Sequence, residues 1–316
     1  MPLTLEQYLT HLDGRADLNW PAAPVPEPAK AKPYLPTLTG IKAILWEVYG
    51  TLLSITGGEL LFEHPQKLVT DVALDKTISE FKMWASMSRK PGQPAEYMKV
   101  IFDKVRLDLQ ALGGRERYPE MLSDRIWEEI IKKLMQKEYT FNAAFFGSLN
   151  EFSRKVAYFY HASLQGVAAQ PNALQAMRFA ADCRLSQGLL GDGQCFTAAQ
   201  LSRALRIHDP SATFDEWVPA SHRFLSADVK AKKPSETLFR HALAGLATKG
   251  IQPGEILHIG TRLTRDIAPA KKHGMKAGLY VGDKASLDAK AELLKDPAHR
   301  PDVLLTDLAQ VEQLFG

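Results

Sequence analysis

One short apolar run stands apart from the other strand-like segments, and that separation constrains the fold more than any other feature of the chain. Ile41-Lys42-Ala43-Ile44-Leu45-Trp46-Glu47-Val48-Tyr49-Gly50 is nearly continuous in apolar residues and ends in glycine, as expected of a buried parallel strand. From about Leu60 to about Leu164 the periodicity is helical instead, with Ile126, Ile130, Ile131 and Leu134 on one face. Breaks at Pro91-Gly92, Gly113-Gly114 and Tyr118-Pro119 divide this block into four or five helices without a strand. Strand-like runs then return at Leu185 to Gly191, His222 to Ser226, Ile256 to Gly260, Ala277 to Val281 and Val303 to Thr306.

Between these runs the pattern predicts helices at Asn172 to Asp182, Thr197 to Arg206, Ser235 to Ala247, Arg265 to Gly274 and Ser286 to Leu294. Strands alternating with helices of this length mean crossover connections, hence an α/β fold with a doubly wound parallel sheet covered on both faces. One strand precedes the helical block and the others follow it. The expected organisation is therefore a core of residues 40–59 and 165–316, interrupted by a helical insertion over 60–164. Ahead of both, residues 1–39 read as a short amphipathic helix and a strap. Six prolines fall between Trp20 and Pro36, and proline lacks the amide proton that a helix interior or a central strand requires.

Composition narrows the function. The 39 basic and 36 acidic residues leave a formal charge of +3, too small and dispersed for nucleic acid as a partner. No apolar run approaches the length that crosses a bilayer. The first residues carry Glu6, Asp13 and Asp17 rather than a basic stretch followed by an apolar one, so they are not read as a secretory signal. Cys183 and Cys195 have no metal-ligand spacing and read as buried thiols. A soluble cytoplasmic protein without a membrane or nucleic-acid partner is expected, and nothing in the sequence sets its oligomeric state.

In an open parallel sheet, ligands bind beyond the carboxyl ends of the strands near the point where strand order reverses. Glu47, Tyr49, Gly50 and Thr51 follow the first strand, and Gly191, Asp192 and Gly193 the second. Lys230, Lys232, Lys233 and Pro234 open a later helix. Thr261, Arg262, Thr264, Arg265 and Asp266 follow Gly260. A carboxylate, a lysine and a second acid delivered from different strand ends can handle a small anion. Lys230 and Lys232 read as solvated neighbours, and His258, inside an apolar strand, as a core histidine.

In this order the residues resemble the haloacid dehalogenase-like (HAD) superfamily, over about residues 40 to 310. Trp46-Glu47-Val48-Tyr49-Gly50-Thr51-Leu52 is similar to the first motif, Leu189-Leu190-Gly191-Asp192-Gly193 to the second and Lys233-Pro234 to the third. His258-Ile259-Gly260-Thr261 through Asp266-Ile267-Ala268-Pro269-Ala270 is similar to the fourth. The helical block resembles the C1-type cap inserted after the first motif, though it is longer than common caps.

The resemblance implies a carboxylate nucleophile at Glu47, where the family carries aspartate. The extra methylene carries the carboxylate roughly 1 to 1.5 Å further out, enough to disturb a near-attack geometry. Tyr49 stands where the phosphatases have their acid/base aspartate, and a tyrosine there resembles the metal-independent dehalogenase branch. Gly191 replaces a Ser or Thr donor. Thr261 takes the first acidic place of the fourth motif, while Asp266 keeps the second.

Two functions follow. One is a hydrolase of a small phosphate ester or 2-halo acid, weakened by the altered motifs. In it Glu47 attacks, Lys233 and Thr51 stabilise charge beside Tyr49, and Gly191, Asp192 and Arg262 meet the substrate. Glu47 with Asp266 would be a thin magnesium site. The other is a catalytically inactive binding or interaction protein of the same fold, in which Glu47 and Lys233 survive as a structural pair. Asp266 would also serve as a cap for free amides, Thr51 would cap the turn after the strand, and Arg262 with Arg265 would suit a bidentate anion.

Overall fold

The computed structural model describes residues 1–87, 92–111 and 114–315. Its centre is a six-stranded parallel sheet in the order β5-β4-β1-β6-β7-β8. The strands are β1 (Ala43–Trp46), β4 (Ser186–Gly191), β5 (Arg223–Leu225), β6 (Ile256–Gly260), β7 (Lys276–Tyr280) and β8 (Val303–Leu305). The isolated apolar run thus lies in the middle, with Ala43 opposite Ser186 on one side and Ile256 on the other.

All four β1 residues are buried, and alternate side chains serve opposite faces, the two-residue period of a strand. Ile44 and Trp46 pack with Ala173, Ala176, Met177 and Ala180 of α7 (Ala173–Asp182). Ala43 and Leu45 pack with Leu238, Phe239, Ala242 and Leu246 of α11 (Glu236–Ala247). The one polar atom that Trp46 carries into this core is satisfied. Its indole N–H donates to Gln187 Oε1 at 3.1 Å, and the same amide donates to the Met177 carbonyl at 2.8 Å.

Beyond β1 a two-residue strand, β2 (Leu53–Ser54), pairs antiparallel with β3 (Ala168–Ala169). Between them run α2 (Lys67–Glu80), α3 (Pro94–Ala111), α4 (Ser123–Met135), α5 (Ala143–Phe146) and α6 (Leu149–Leu164), with no strand among the described residues. The block has an apolar core of its own. At its heart Phe102, Trp127 and Tyr160 meet with ring centroids 5.3 to 5.7 Å apart, a geometry that adds about 0.5–1.5 kcal/mol per pair to the burial itself. Pro91 and Gly113, two of the breaks expected from sequence, lie outside the described residues. Tyr118-Pro119 separates α3 from α4, and Pro119 bridges to Ala231.

The N-terminal helix α1 (Leu5–Asp13) starts at a capping box in which Thr4 and Gln7 satisfy each other's amides. It buries Tyr8, Leu9 and Leu12 in the core of the helical block. Arg203 of α8 (Thr197–His208) reaches it through Asp13. The proline segment then crosses the molecule without forming a helix. Ser54 Oγ donates to the Pro24 carbonyl at 2.7 Å, Ala29 N to the Val281 carbonyl at 2.9 Å, and Tyr34 pairs with Leu304 at the edge strand β8. Such an edge is where a strand-like segment can pair despite neighbouring prolines.

Three expectations are corrected. Residues 286–294 do not form the expected helix, and only a 3-10 turn at Leu293–Lys295 is helical. Leu263 N donates to the Asp288 carbonyl and Asp288 N to the Thr261 carbonyl, so this backbone is used in pairing with the loop after β6 rather than in a helical ladder. The helix expected from Arg265 begins earlier, as a π-helical turn over Leu263–Ile267 that leads into α12 (Ala268–Lys272). Cys183, taken as buried, is exposed; both cysteines are free. The remaining α-helices, α9 (Phe214–Trp217) and α10 (Ser226–Val229), are single turns. No helix of the described residues is long and apolar enough to cross a membrane.

Candidate functional site

The chain moves outward from β1 to β4 and β5 on one side, and through β6, β7 and β8 on the other, so β1 lies at the switch point. Glu47 continues β1, its amide donating to the Ile259 carbonyl at 2.9 Å. Lys233 lies just ahead of α11, and Asp266 lies in the π-helical turn after β6. The three meet. Lys233 Nζ donates to Glu47 Oε2 and, at 2.5 Å, to Asp266 Oδ1. The remaining oxygens are occupied too, since Glu47 Oε1 accepts from Val48 N at 2.9 Å. Asp266 Oδ2 accepts from Thr261 N at 3.0 Å and Arg262 N at 2.9 Å, which is the capping role expected of it.

His258 closes this group from behind. Its Nδ1 lies 3.0 Å from the Leu45 carbonyl, which assigns the proton there, and Nε2 faces Lys233 Nζ at 3.4 Å. Burial and the lysine charge both push its pKa down, so the ring is a neutral core histidine, as read from the sequence. Burial works against every charge in the cluster, and the network divides the consequences. The Glu47 carboxyl is pushed up by burial, with Asp266 and Asp192 adding to the shift and Lys233 opposing it. For Asp266 burial raises, but the Lys233 ammonium outweighs it and the net shift is downward. Lys233 is likewise desolvated, yet Asp266 and Glu47 hold its pKa above the ordinary value. A single ammonium flanked by two carboxylates gives this result: one acid stays firmly ionised and the other binds a proton more easily.

Gly191 shows how the longer Glu47 is accommodated. A Cβ at Gly191 would lie 2.3 Å from Glu47 Oε1, so a Ser or Thr there would require the glutamate side chain to shift. The glycine on β4 thus leaves the room that the long glutamate after β1 occupies.

Outside this group lies a second set of charges. Lys233 N donates to Asp192 Oδ1 at 2.7 Å, and Arg265 Nη2 donates to Asp192 Oδ2. Arg265 Nη1 also lies 3.3 Å from Glu59 Oε2, and Arg262 Nη1 lies 3.6 Å from the same oxygen. Arg262 Nη2 donates to the Gly57 carbonyl at 2.9 Å. Asp192, Glu59, Arg262 and Arg265, with Lys232 and Glu120, line a cavity of about 30 Å³, room for roughly one water. Glu120 comes from the segment before α4 and accepts from Ser226 Oγ at 2.5 Å. Burial raises its pKa to about 7, against the opposing pull of Lys232 and Ser226.

Of the residues expected at the site, Glu47, Gly191, Asp192, Lys233, Arg262 and Asp266 are brought together. Tyr49 borders the cavity, but its hydroxyl donates to Gln200 Oε1 at 2.8 Å and lies 3.0 Å from Thr197 Oγ1, both on α8. The Thr51 hydroxyl is buried without a hydrogen-bond partner, which corrects the turn-capping role expected of it. Sequence reasoning missed Glu59 and Glu120, because both come from outside the strand ends.

Magnesium needs near-octahedral oxygen ligation, and the residues as arranged do not fit it. All four oxygens of Glu47 and Asp266 already accept N–H groups, and the Lys233 ammonium fills the point between them. Among the described residues no group of three or more His, Cys, Asp and Glu side chains is placed to hold a metal.

Residues 230–311 match the family model described as HAD-hydrolase-like. No curated protein matches the chain. Among solved structures it is similar to a 2-haloacid dehalogenase from Pseudomonas syringae pv. Tomato DC3000, at 16% identity and TM-score 0.49, covering 87% of this chain and 97% of that one. A HAD phosphatase from Thermococcus onnurineus gives 17% identity and TM-score 0.45 over 87% and 97%. An L-2-haloacid dehalogenase from Xanthobacter autotrophicus, with chloropropionic acid covalently bound, gives 16% and 0.39 over 87% and 98%. With Glu47 and Asp192 just past β1 and β4, Lys233 and Asp266 in the segments that follow β5 and β6, and the family match spanning the last two, the chain has the haloacid dehalogenase-like fold.

Proposed function

We propose that this chain uses the haloacid dehalogenase-like fold for binding and does not hydrolyse phosphate esters or 2-halo acids. One observation carries the reading: Lys233 pairs with Glu47 and Asp266 at once, so the Glu47 carboxylate is tied on one oxygen to a buried ammonium and on the other to Val48 N. Glu47, Lys233 and Asp266 then act as a structural network, Gly191 makes room for it, and Tyr49 and Thr51 do no chemistry. A buried network of this kind is retained because loss of one member strands the others. The helices over 60–164 serve as a cap on the core of 40–59 and 165–316, and the N-terminal strap ties the two together. The free thiols suit a reducing cytoplasm.

A hydrolytic reading draws on a different observation. Glu47 lines the cavity, so outward movement of Arg265 and Glu59 would present its carboxylate to an entering substrate. On a 2-halo acid, attack would form an ester to Glu47 and expel halide; on a phosphate ester it would form a glutamyl phosphate and expel an alkoxide that takes its proton from Glu120, and water would then cleave either intermediate. The two readings separate in one assay. The unaltered protein and Glu47→Gln are compared for phosphate release from a generic ester with magnesium, and for halide release from a 2-halo acid without metal. Equal background release supports the binding reading; release that depends on Glu47 overturns it.

A further inference from the structure

We propose that Arg262 and Arg265 form a binding site for a small oxyanion, and that the chain's own Glu59 occupies it as a tethered competitor. The asymmetry of the contact motivates this. The two guanidinium-bearing side chains are 15% and 24% exposed, whereas Glu59 is 47% exposed and reaches in from solvent. Each arginine has an inner attachment that does not involve Glu59. Arg262 donates to the Gly57 carbonyl at 2.9 Å, and Arg265 donates to Asp192. The guanidinium groups therefore stay in place when the carboxylate leaves, which is preorganisation for another anion.

Release of Glu59 needs no backbone movement. Gln165 Nε2 donates to the Glu59 carbonyl at 3.2 Å and its Oε1 accepts from Leu61 N at 2.7 Å, so the main chain is held on both sides while the side chain rotates. A half-exposed ion pair contributes little by itself. Deeper in the cavity Lys233 and Lys232 offset part of the negative charge of Glu47, Asp266 and Glu120, and Asp192 is paired with Arg265, so the attraction for an incoming anion is concentrated at the two guanidinium groups at the mouth. With Glu59 in place the cavity admits roughly one water. With it turned outward, the vacated volume and the outer N–H groups of both arginines suit a carboxylate or phosphoryl group. The site deepens the binding reading above by naming its ligand class.

The test is calorimetric titration of the full chain, Glu59→Gln and Glu59→Gln combined with Arg262→Gln and Arg265→Gln, using inorganic phosphate in one arm and acetate in the other. Neither probe can be turned over, so failure to bind would leave the hydrolysis question untouched. The expected result is at least about ten-fold tighter binding to Glu59→Gln than to the unaltered chain, with the gain abolished when the arginines are replaced. The tighter of the two anions assigns the site to phosphoryl or carboxylate ligands. Equal affinity in the unaltered chain and Glu59→Gln, a gain that survives loss of both arginines, or no binding of either anion to any variant would overturn the proposal.

Discussion

The inner and outer halves of the charged centre use the same residue types to opposite ends. Inside, Glu47, Lys233, Asp266 and His258 are buried, and every carboxylate oxygen has a donor. Outside, Glu59 meets Arg262 and Arg265 at 3.6 and 3.3 Å while half exposed to water. Desolvation makes the inner contacts costly to break singly, and solvent makes the outer ones cheap. Burial therefore separates a structural part of the centre from an exchangeable one, although Glu47 and Asp266 of the first line the same cavity as Glu59, Arg262 and Arg265 of the second.

The largest effect should come from the inner half. Lys233→Met leaves two buried carboxylates without their cation, and chemical denaturation should show a loss of about 3–5 kcal/mol. A loss near zero would mean that the inner network is as loose as the outer one. Next comes pH. Glu120 has a folded pKa of about 7, above the ordinary 4.5, so the folded chain holds this proton more tightly than the unfolded one. The stability it contributes is complete below about 4.5 and is lost as pH rises through 7, on the order of 3 kcal/mol across that window. Denaturation curves between pH 4.5 and 7 should flatten in Glu120→Gln, and an unchanged slope would remove Glu120 from the buried group.

Gly191→Ser sharpens the steric side of the comparison. It should destabilise by about 1–3 kcal/mol by overpacking against Glu47, and the penalty should shrink when Glu47→Asp is made with it. Additive effects in that double-mutant cycle would deny the coupling. The smallest change is expected at Glu59→Gln, no more than about 1 kcal/mol of stability. A cost as large as that of Lys233→Met would make the outer half structural as well.

Much of this arrangement was legible before the structure. β1 could be read because a strand covered on both faces has no polar alternation to blur it. Its separation by helices from later strands then placed Glu47, Asp192, Lys233 and Asp266 at strand ends. What escaped was set by distant contacts. Residues 286–294 carry a helical pattern, yet their backbone pairs with the loop at Thr261, and tertiary pairing overrides local propensity. Glu59 lies 206 positions from Arg265, and no spacing in one sequence joins them. Glu47 and Gly191 were each visible as departures, but their mutual fit depends on a 2.3 Å approach that only the registered β1–β4 pair creates.

The central claim, that Lys233 fills the place a catalytic cation would need, is most directly tested by crystallography on the unaltered protein soaked in manganese and phosphate. The account predicts no anomalous peak bonded to Glu47 and Asp266, with Lys233 still paired to both. A peak about 2.1 Å from oxygens of both acids, with the ammonium displaced, would contradict it.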